Sequence, residues 1–286
     1  MSPPEHHDAL PFPAPLPGVM KLSTQRRFDR TARLIGDSGL AKLAGSTVTV
    51  FGVGGVGSFA AEGLARAGVG RIILVDFDRV CVTNVNRQIH AMKGTLGKSK
   101  VAVMAERLLQ INPDMRVETR NEFYNERSSA RLLTPEPDVI IDAIDNVTAK
   151  IHLLATAIRE KLRIVSAMGA AARMDPTCVK TADLNLTSGC GLAREVRSLL
   201  RKNYGIGEVN KPIGVTAIYS NEPAITPVPL AYDNGGFECV CPSGDNGLHD
   251  CDSRIVINGS SPFVPSVFGM TAASVAVRMI TGTFQP

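Results

Sequence analysis

Residues 47–57 read TVTVFGVGGVG, and this stretch decides the fold. An apolar run typical of a buried strand enters a glycine-rich turn, and small residues with helical spacing follow as far as Ala67. The turn contains Gly52, Gly54, Gly55 and Gly57. A second apolar run over residues 71–75 then ends at Asp76. Strand, glycine turn, helix, strand and acid in this order predict a βαβ unit that binds a nucleotide, with a phosphate at the turn and a ribose hydroxyl at the acid.

The composition suits one mildly basic α/β domain. The chain has 286 residues, and 31 Lys and Arg against 27 Asp and Glu give a formal net charge of +4. That charge permits an anionic partner without requiring one. Residues 1–22 are rich in proline and predict a disordered tail, which leaves residues 23–286 as a single domain. Six cysteines with no secretion signal before them indicate free thiols in a reducing, cytoplasmic compartment.

Beyond the βαβ unit, strand-like and helix-like segments alternate. Strands are predicted at 115–119, 139–141 and 163–167, and helices at 26–35, 101–109 and 149–160. This alternation predicts a Rossmann-like, doubly wound α/β fold with a mostly parallel sheet. Strands at 177–181 and 214–219 would form a C-terminal mixed or antiparallel extension. Residues 263–280 are apolar but contain Pro265 and Arg278, which favours a buried core helix over a membrane span.

Polar residues follow the ends of predicted strands, where doubly wound sheets bind their ligands. Asp76, the segment 84–88 and Asp145 can therefore converge on one crevice. Arg87 and Lys100 supply positive charge there, and Asp145 is a carboxylate suited to Mg²⁺. This combination suits phosphoryl or nucleotidyl transfer. Structural alternatives are a solvated helix lysine at Lys100, a surface ion pair at Arg87 and a helix N-cap at Asp145.

Several motifs point to a known superfamily. They are GVGGVG at 52–57, DFD at 76–78, NVNRQ at 84–88, Lys100, and DAIDN at 142–146. Together they resemble the ubiquitin-activating-enzyme-like adenylating superfamily, whose members join a carboxylate to AMP from ATP. Four further segments are RFDRTARLIG at 27–36, VCVTNVNRQIHA at 80–91, SAMGAAARMDPT at 166–177 and LAREVRSLLRK at 192–202. These resemble one family within it, the tRNA threonylcarbamoyladenosine dehydratases, and the likeness covers about residues 25–280.

The resemblance implies a cyclisation on tRNA. The substrate would be the threonylcarbamoyl group on the adenosine next to the anticodon. Its carboxylate would attack the α-phosphate of ATP and release pyrophosphate, and a nitrogen of the same group would then attack the activated carbonyl and expel AMP. The net change is the loss of one water. Well-oriented intramolecular closures reach effective molarities of about 10⁵–10⁸ M, so no protein nucleophile is required.

The same resemblance implies roles for individual residues. The implied nucleotide contacts are Gly52, Gly54, Gly55, Gly57, Asp76, Asp78, Asn84, Arg87, Gln88, Lys100, Asp145 and Asn146. Among these, Arg87 and Lys100 would stabilise charge on the phosphates, and Asp145 would position Mg²⁺. Arg30 matches an arginine that reaches ATP across a dimer interface in the superfamily, which implies a homodimer. The implied catalytic residues are Arg30, Arg87, Lys100 and Asp145.

A basic insertion at about residues 183–212 contains the candidate tRNA contacts. They recur on one face of a predicted helix at 192–202 and are Arg194, Arg197, Arg201 and Lys202. Contact with phosphates would make tRNA binding depend on salt. A solvated helix face is the alternative.

A loop-like region at about residues 221–262 carries a cysteine motif, Cys239, Cys241 and Cys251, with His249 nearby. One residue between Cys239 and Cys241 is poor spacing for zinc, so zinc is not expected. One alternative is a functional thiol that serves as a sulfur carrier or transient acyl acceptor, and a sulfur-relay protein is then a candidate partner. The other is a set of free thiols in a mobile loop.

Three other functions are alternatives to the dehydratase. The first is an adenylyltransferase that activates the C-terminus of a ubiquitin-like sulfur-carrier protein, against which the basic segment 192–202 argues mildly. The second is an NAD-dependent oxidoreductase, which would leave residues 86–88 and Asp145 unexplained. The third is a non-enzymatic nucleotide-binding scaffold in a sulfur-relay complex, and ATP turnover separates it from the enzymes.

Overall fold

The fold is a single mostly parallel sheet with helices on both faces. A computed structural model describes residues 26–228, 230 and 258–285. Its strands are β1 (Thr47–Phe51), β2 (Arg71–Val75), β3 (Arg116–Arg120), β4 (Val139–Asp142), β5 (Ile164–Ala167), β6 (Val179–Asp183) and β7 (Val215–Ser220). They lie in the order β3–β2–β1–β4–β5–β7–β6. All neighbours are parallel except β6 and β7, which confirms the predicted doubly wound sheet with an antiparallel C-terminal extension.

The described helices cover both faces of this sheet. They are α1 (Asp29–Gly45), α2 (Gly57–Ala67), α3 (Lys100–Ile111), α4 (Glu126–Leu132), α5 (Val147–Arg159), α6 (Gly191–Tyr204) and α7 (Phe263–Thr281). Short 3₁₀ turns occur at Val82–Asn84, Pro176–Cys178 and Leu184–Leu186. One hydrophobic core joins the sheet to α1, α2, α3 and α7, and a second joins it to α4, α5 and α6.

The strands alternate between these two cores because successive side chains of a strand point to opposite faces. In β2, Ile72 and Leu74 belong to the first core, whereas Ile73 and Val75 belong to the second. Both faces are thus apolar, as expected for a parallel sheet that helices cover on each side.

Two helices differ from the sequence prediction. The first helix was expected at 26–35 but continues to Gly45, with a kink at Gly36, whose φ is +71°. Its second half is fixed by tertiary packing, because Leu40 and Leu43 are buried. Helix α4 was not predicted at all. It begins at a capping box in which the Asn125 side chain accepts the Ser128 N–H at 3.0 Å.

Helix α7 lies in the first core, as predicted. It packs closely on α2: a Cβ added at Gly269 would lie 2.3 Å from the Val56 carbonyl oxygen, and one added at Gly63 would lie 2.9 Å from Ala273 Cβ. By length and composition alone, α7 is the one described helix that could cross a membrane. Eight of its residues are buried against the rest of the fold, which is typical of a core helix.

The order of the strands places a switch point between β1 and β4. From β1 the chain proceeds through β2 to β3 on one side, and from β4 through β5 to β7 on the other. The turns after β1 and β4 therefore leave the sheet in opposite directions and flank a crevice, which is where such sheets bind ligands. The glycine turn and the DAIDN motif occupy these two turns.

The loop after β5 holds two distant chain segments together. The Ala172 carbonyl accepts the Ile225 N–H at 2.8 Å, and the Ala172 N–H donates to the Gly259 carbonyl at 2.8 Å. Next to Gly259, the Ser260 carbonyl accepts a hydrogen bond from Asn86 Nδ2 at 2.8 Å. The segments on either side of residues 231–257 are thus both attached beside the crevice.

Candidate active site

Two glycines of the turn are required by the packing of the protein itself. Gly52 has a φ of +85°, and a Cβ there would lie 2.6 Å from the Ala143 carbonyl oxygen. A Cβ at Gly57 would lie 1.8 Å from the Gly52 carbonyl oxygen. Neither position can accept a side chain without movement of the backbone. These two glycines join the turns after β1 and β4 at the switch point.

The other two glycines face more open surroundings. The nearest heavy atom to a Cβ at Gly54 is Gln88 Nε2 at 3.9 Å, and a Cβ at Gly55 would meet Arg87 Cγ at 3.4 Å. Internal packing therefore does not demand glycine at Gly54. The turn leads into the N-terminus of α2, and helix N-termini attract anions through their backbone N–H groups and dipole. A phosphate fits this position.

Asp76 organises the turn from the end of β2. Its carboxylate accepts the Val53 N–H at 2.6 Å and the Asp78 N–H at 2.8 Å. Burial raises the pKa of Asp76, although nearby Lys100 acts in the opposite direction. The backbone hydrogen bonds tie this acid to the glycine turn, so its position relative to a nucleotide bound there is fixed.

Lys100 is a buried cation at the start of α3. Its side chain is 7% exposed, and Nζ lies 2.7 Å from Asp78 Oδ2. Burial acts to lower the pKa of Lys100, but the negative charges of Asp76, Asp78 and Asp145 outweigh it and raise that pKa above its ordinary value. Lys100 is thus a buried cation stabilised by three carboxylates, and it is not a solvated helix residue.

The segment 84–88 lies against the glycine turn. Asn84 is buried and accepts the Cys81 N–H at 3.0 Å. Arg87 is exposed, and its Nη1 donates to Thr83 O and Asn86 Oδ1, both at 2.9 Å. Gln88 is buried, and its Oε1 has no hydrogen-bond partner among the described residues. A buried acceptor without a donor beside an open glycine turn fits a bound ligand.

The two polar residues of the turn after β4, Asp145 and Asn146, have different surroundings. Asn146, not Asp145, is the N-cap of α5, since its side chain accepts the Ala149 N–H at 3.0 Å. Asp145 is exposed at the switch point, and its charge is felt by Lys100. The predicted contact between Asn146 and the nucleotide stays a prediction.

The carboxylates of the crevice suit Mg²⁺ better than a metal held by protein ligands alone. No cluster of three or more His, Cys, Asp or Glu side chains that could hold a metal occurs within residues 26–228 and 258–285. Mg²⁺ with a nucleotide typically uses one or two carboxylates and the phosphates themselves. The exposed Asp145 beside the phosphate position fits that requirement.

Arg30 does not join the other predicted residues within one chain. Just before it, Arg27 Nη1 donates to the Ile111 carbonyl at the end of α3 at 3.2 Å, and Phe28 packs on Gly68 at the end of α2. The glycine turn lies at the opposite end of α2, an 11-residue helix about 16 Å long. The start of α1 therefore lies at the edge of the sheet where the strands begin, opposite the edge where the crevice lies.

The basic helix α6 begins near the crevice. Leu192 Cβ lies 3.6 Å from the position of a Cβ at Gly169, in the loop after β5. Three of the predicted tRNA contacts are exposed: Arg194, Arg201 and Lys202. Arg197 is only partly exposed, and its Nη1 donates to the carbonyls of Leu184 (3.3 Å) and Thr187 (2.9 Å). Arg197 thus holds a loop of its own chain.

Sequence reasoning missed a buried group beneath the crevice. Lys150, Asp142 and Ser166 form a hydrogen-bonded cluster whose members are at most 1% exposed. The available signal was a lysine within the mostly apolar helix segment 149–158. Cys239, Cys241 and Cys251, and the proline-rich residues 1–22, lie outside the described residues.

The geometry defines an α/β protein with a nucleotide-binding type of crevice at the switch point of its sheet and fixed charges beside the glycine turn. Residues 28–286 match the ThiF family. The chain belongs to that family, which confirms the superfamily indicated by the sequence motifs.

Individual relatives are similar over most of their length. The tRNA threonylcarbamoyladenosine dehydratase of Bacillus subtilis is 45% identical over 85% of this chain and 90% of its own. The enzyme of the same name from Escherichia coli is 38% identical over 91% of this chain and 95% of its own. A crystal structure of the E. coli dehydratase in complex with ATP superposes with a TM-score of 0.79, at 35% identity, and covers 92% of this chain and 97% of that one.

Proposed function

We propose that this protein is an ATP-dependent tRNA threonylcarbamoyladenosine dehydratase. The observation that carries the proposal is the buried Lys100, set among carboxylates beside a glycine turn whose open side at Gly54 fits a phosphate. Fixed charges around a phosphate are what adenylation requires, because catalysis there is mainly positioning and electrostatic stabilisation. The similarity to named dehydratases over more than four-fifths of the chain supports the choice of substrate.

In this proposal the crevice first activates a carboxylate. The phosphates of ATP lie at Gly54 and Gly55, and Asp76 accepts a ribose hydroxyl. The threonylcarbamoyl carboxylate attacks the α-phosphorus, the bond to the β-phosphate oxygen breaks, and pyrophosphate leaves. Arg87 and Lys100 stabilise the negative charge that develops. Asp145 would hold Mg²⁺, which neutralises charge on the phosphates when bound.

Ring closure follows without a protein nucleophile. A nitrogen of the threonylcarbamoyl group attacks the activated carbonyl carbon, AMP leaves with the carboxylate oxygen, and the nitrogen loses its proton. The chain's task in this step is to hold the intermediate in the closing conformation and to exclude water, because proximity supplies most of the rate.

The test of this function is AMP release from ATP and Mg²⁺ with two tRNA preparations that differ only in the threonylcarbamoyl group. We expect AMP with the modified tRNA alone, and a mass loss of one water from the modified nucleoside. AMP formation that is independent of tRNA would instead indicate a protein carboxylate as the substrate. Absence of ATP turnover with any of these would contradict the assignment.

We further propose that the protein acts as a homodimer in which Arg30 completes the site of the partner subunit. Within one chain, the start of α1 lies at the end of α2 that is remote from the glycine turn. An arginine there can reach nucleotide only in a second copy. A symmetric dimer would exchange the two arginines reciprocally.

Mixed dimers test this exchange. We expect the Arg30→Ala and Lys100→Met variants each to be inactive alone. When the two variants are unfolded, mixed in equal amounts and refolded together, the mixture should recover about a quarter of wild-type AMP formation. Half of the dimers then contain one subunit of each variant, and each of these dimers holds one intact site. Wild-type protein that undergoes the same refolding serves as the control. An inactive mixture that contains dimers would show that Arg30 does not act across the interface.

We propose that the exposed cations of α6 contact the tRNA backbone. Replacement of Arg194 and Arg201 with alanine should reduce the slope of log affinity against log salt by about two units, since each lost phosphate contact removes about one. The matched control replaces Arg116 and Lys161, exposed cations at the amino ends of strands, on the opposite side of the sheet. An equal effect of both pairs would indicate general electrostatic attraction instead of contact by α6.

The remaining predictions concern surroundings and partners. A tRNA substrate and the free thiols of Cys178 and Cys190 support a cytoplasmic site of action. Two predictions concern cysteines outside the described residues and therefore stay predictions. They are the sulfur-relay partner and the expectation that the cysteine motif does not bind zinc.

A further inference from the structure

A lysine and an aspartate are buried together at the floor of the crevice. Asp142 is the last residue of β4 and is 0% exposed, and Lys150 on α5 is 1% exposed. Asp142 is paired with Phe51 on one side and Ser166 on the other, so it lies in the central row of the sheet. The strands end at this row, and the ligand-binding turns begin.

The contacts of this pair connect three elements of the fold. Lys150 Nζ donates to Asp142 Oδ2 at 2.6 Å and to the Ala167 carbonyl at 3.0 Å. Ser166 Oγ donates to the same Asp142 oxygen at 2.6 Å. The other oxygen, Asp142 Oδ1, accepts the Ile144 N–H at 3.1 Å. One carboxylate thereby joins α5, the end of β5 and the turn that follows β4.

Stability alone does not explain such a pair. Removing two charges from water is costly, and well-packed hydrophobic residues of similar volume often serve a fold equally well or better. The position is also unsuited to direct chemistry, since neither group reaches solvent and both are saturated with hydrogen bonds. The pair is therefore best explained by the geometry that it holds.

The Asp142–Lys150 pair fixes the conformation of the turn after β4. Ile144 is bound through its N–H to Asp142, and the preceding carbonyl, of Ala143, touches Gly52 so closely that a Cβ there would lie 2.6 Å away. On the far side of the turn, Asn146 is fixed as the cap of α5. Asp145 lies between two anchored residues, and its exposed carboxylate acts electrostatically on Lys100.

We propose that Asp142 and Lys150 are positioning residues that set Asp145 against the metal-bound phosphates. This inference rests on the proposed role of Asp145 in holding Mg²⁺. Residues that orient a metal ligand from behind typically contribute about 10–100-fold to metal affinity. Loss of the pair should accordingly weaken the benefit of Mg²⁺ for nucleotide binding and leave metal-free nucleotide binding nearly unchanged.

The test removes both charges at once, with Asp142→Asn and Lys150→Met in the same chain. A single substitution would strand a buried charge, whereas the double change keeps an oxygen acceptor for the Ile144 N–H. A matched control is the pair Glu62→Gln and Arg107→Met. That pair joins α2 to α3, its carboxylate is 5% exposed, and it makes no contact with the turn after β4 among the hydrogen bonds described.

The measurement is the binding of α,β-methylene-ATP by calorimetry, with and without Mg²⁺ and without tRNA. The ratio of the two dissociation constants is the gain due to the metal. We expect the Asp142/Lys150 double variant to lose about 10–100-fold of that gain and the Glu62/Arg107 variant to keep it. A fall in the thermal unfolding temperature alone, with the gain intact, would overturn the inference.

Asp145→Asn, measured in parallel, separates this inference from the metal role on which it rests. If Asp145→Asn loses the gain and the Asp142/Lys150 variant keeps it, only the positioning role is overturned. If Asp145→Asn keeps the gain, both are overturned. Should the double variant fail to fold, Ser166→Ala removes a single hydrogen bond to Asp142 and should reduce the gain in the same direction by a smaller factor. An unchanged gain in Ser166→Ala would then count against the proposal.

Discussion

Gly57→Ala should lose nucleotide binding and a large part of the protein's stability. The added Cβ would lie 1.8 Å from the Gly52 carbonyl oxygen, so either the first turn of α2 or the turn after β1 must move. Overpacking of this kind costs about 3 kcal/mol at its upper range. A displacement of about 1 Å at a site that works by positioning costs about 10²-fold in rate. Thermal unfolding and the rate of AMP formation measure these two effects, and ATP titration measures the loss of nucleotide binding.

Gly54→Ala is the matched comparison, three residues before Gly57 and at one of the two open positions of the turn. The nearest atom to its Cβ is 3.9 Å away, so the fold should keep its unfolding temperature. ATP affinity should nevertheless fall, because the methyl group occupies the side of the turn where we place a phosphate. Normal ATP affinity in Gly54→Ala would contradict that placement. A wild-type unfolding temperature in Gly57→Ala would show that the turn can relax.

Lys100→Met is expected to reduce AMP formation by about 10²–10³-fold, as for the loss of one preorganised charge at a reacting centre. Methionine fills a similar volume in the buried position but leaves Asp76, Asp78 and Asp145 without the nearest cation. A triphosphate would then meet net negative charge. Single-turnover assays with modified tRNA would report the chemical step directly.

Asp78→Asn distinguishes the charge of Lys100 from its anchoring. This variant removes the ion pair at 2.7 Å but leaves the ammonium in place. We expect a much smaller loss of activity than in Lys100→Met, because the cation still faces Asp76 and Asp145. Equal losses in the two variants would mean that Lys100 serves to hold Asp78 and not to stabilise phosphate charge.

The βαβ unit was accessible from the sequence because its signals are local. Four glycines, an apolar strand and Asp76 follow one another within 30 residues, and each has a backbone reason to be where it is. The sequence could not separate Gly57, which packing requires, from Gly54, which it does not. That distinction depends on which atoms surround each glycine in the folded chain: the Gly52 carbonyl lies against Gly57, whereas Gln88 is the nearest neighbour of Gly54 at a greater distance.

Features that depend on tertiary partners were harder to predict. The second half of α1 is fixed by burial of Leu40 and Leu43, and its own residues gave no clear helical pattern. Arg197 follows the same helical spacing as its exposed neighbours, yet it donates hydrogen bonds to the carbonyls of Leu184 and Thr187. Asp142 reads as part of the same motif as Asp145, but one is buried with Lys150 and the other is exposed.

The attachment at Ala172 has a consequence for how this chain can change in length. Since Ile225 and Gly259 bind the same residue, the intervening stretch starts and finishes at one point of the scaffold. The entropy of closing a chain segment between two fixed ends grows only logarithmically with its length, so each doubling costs about 0.6 kcal/mol. Insertions or deletions between these anchors should therefore leave the two attachments at Ala172, and the sheet behind them, in place.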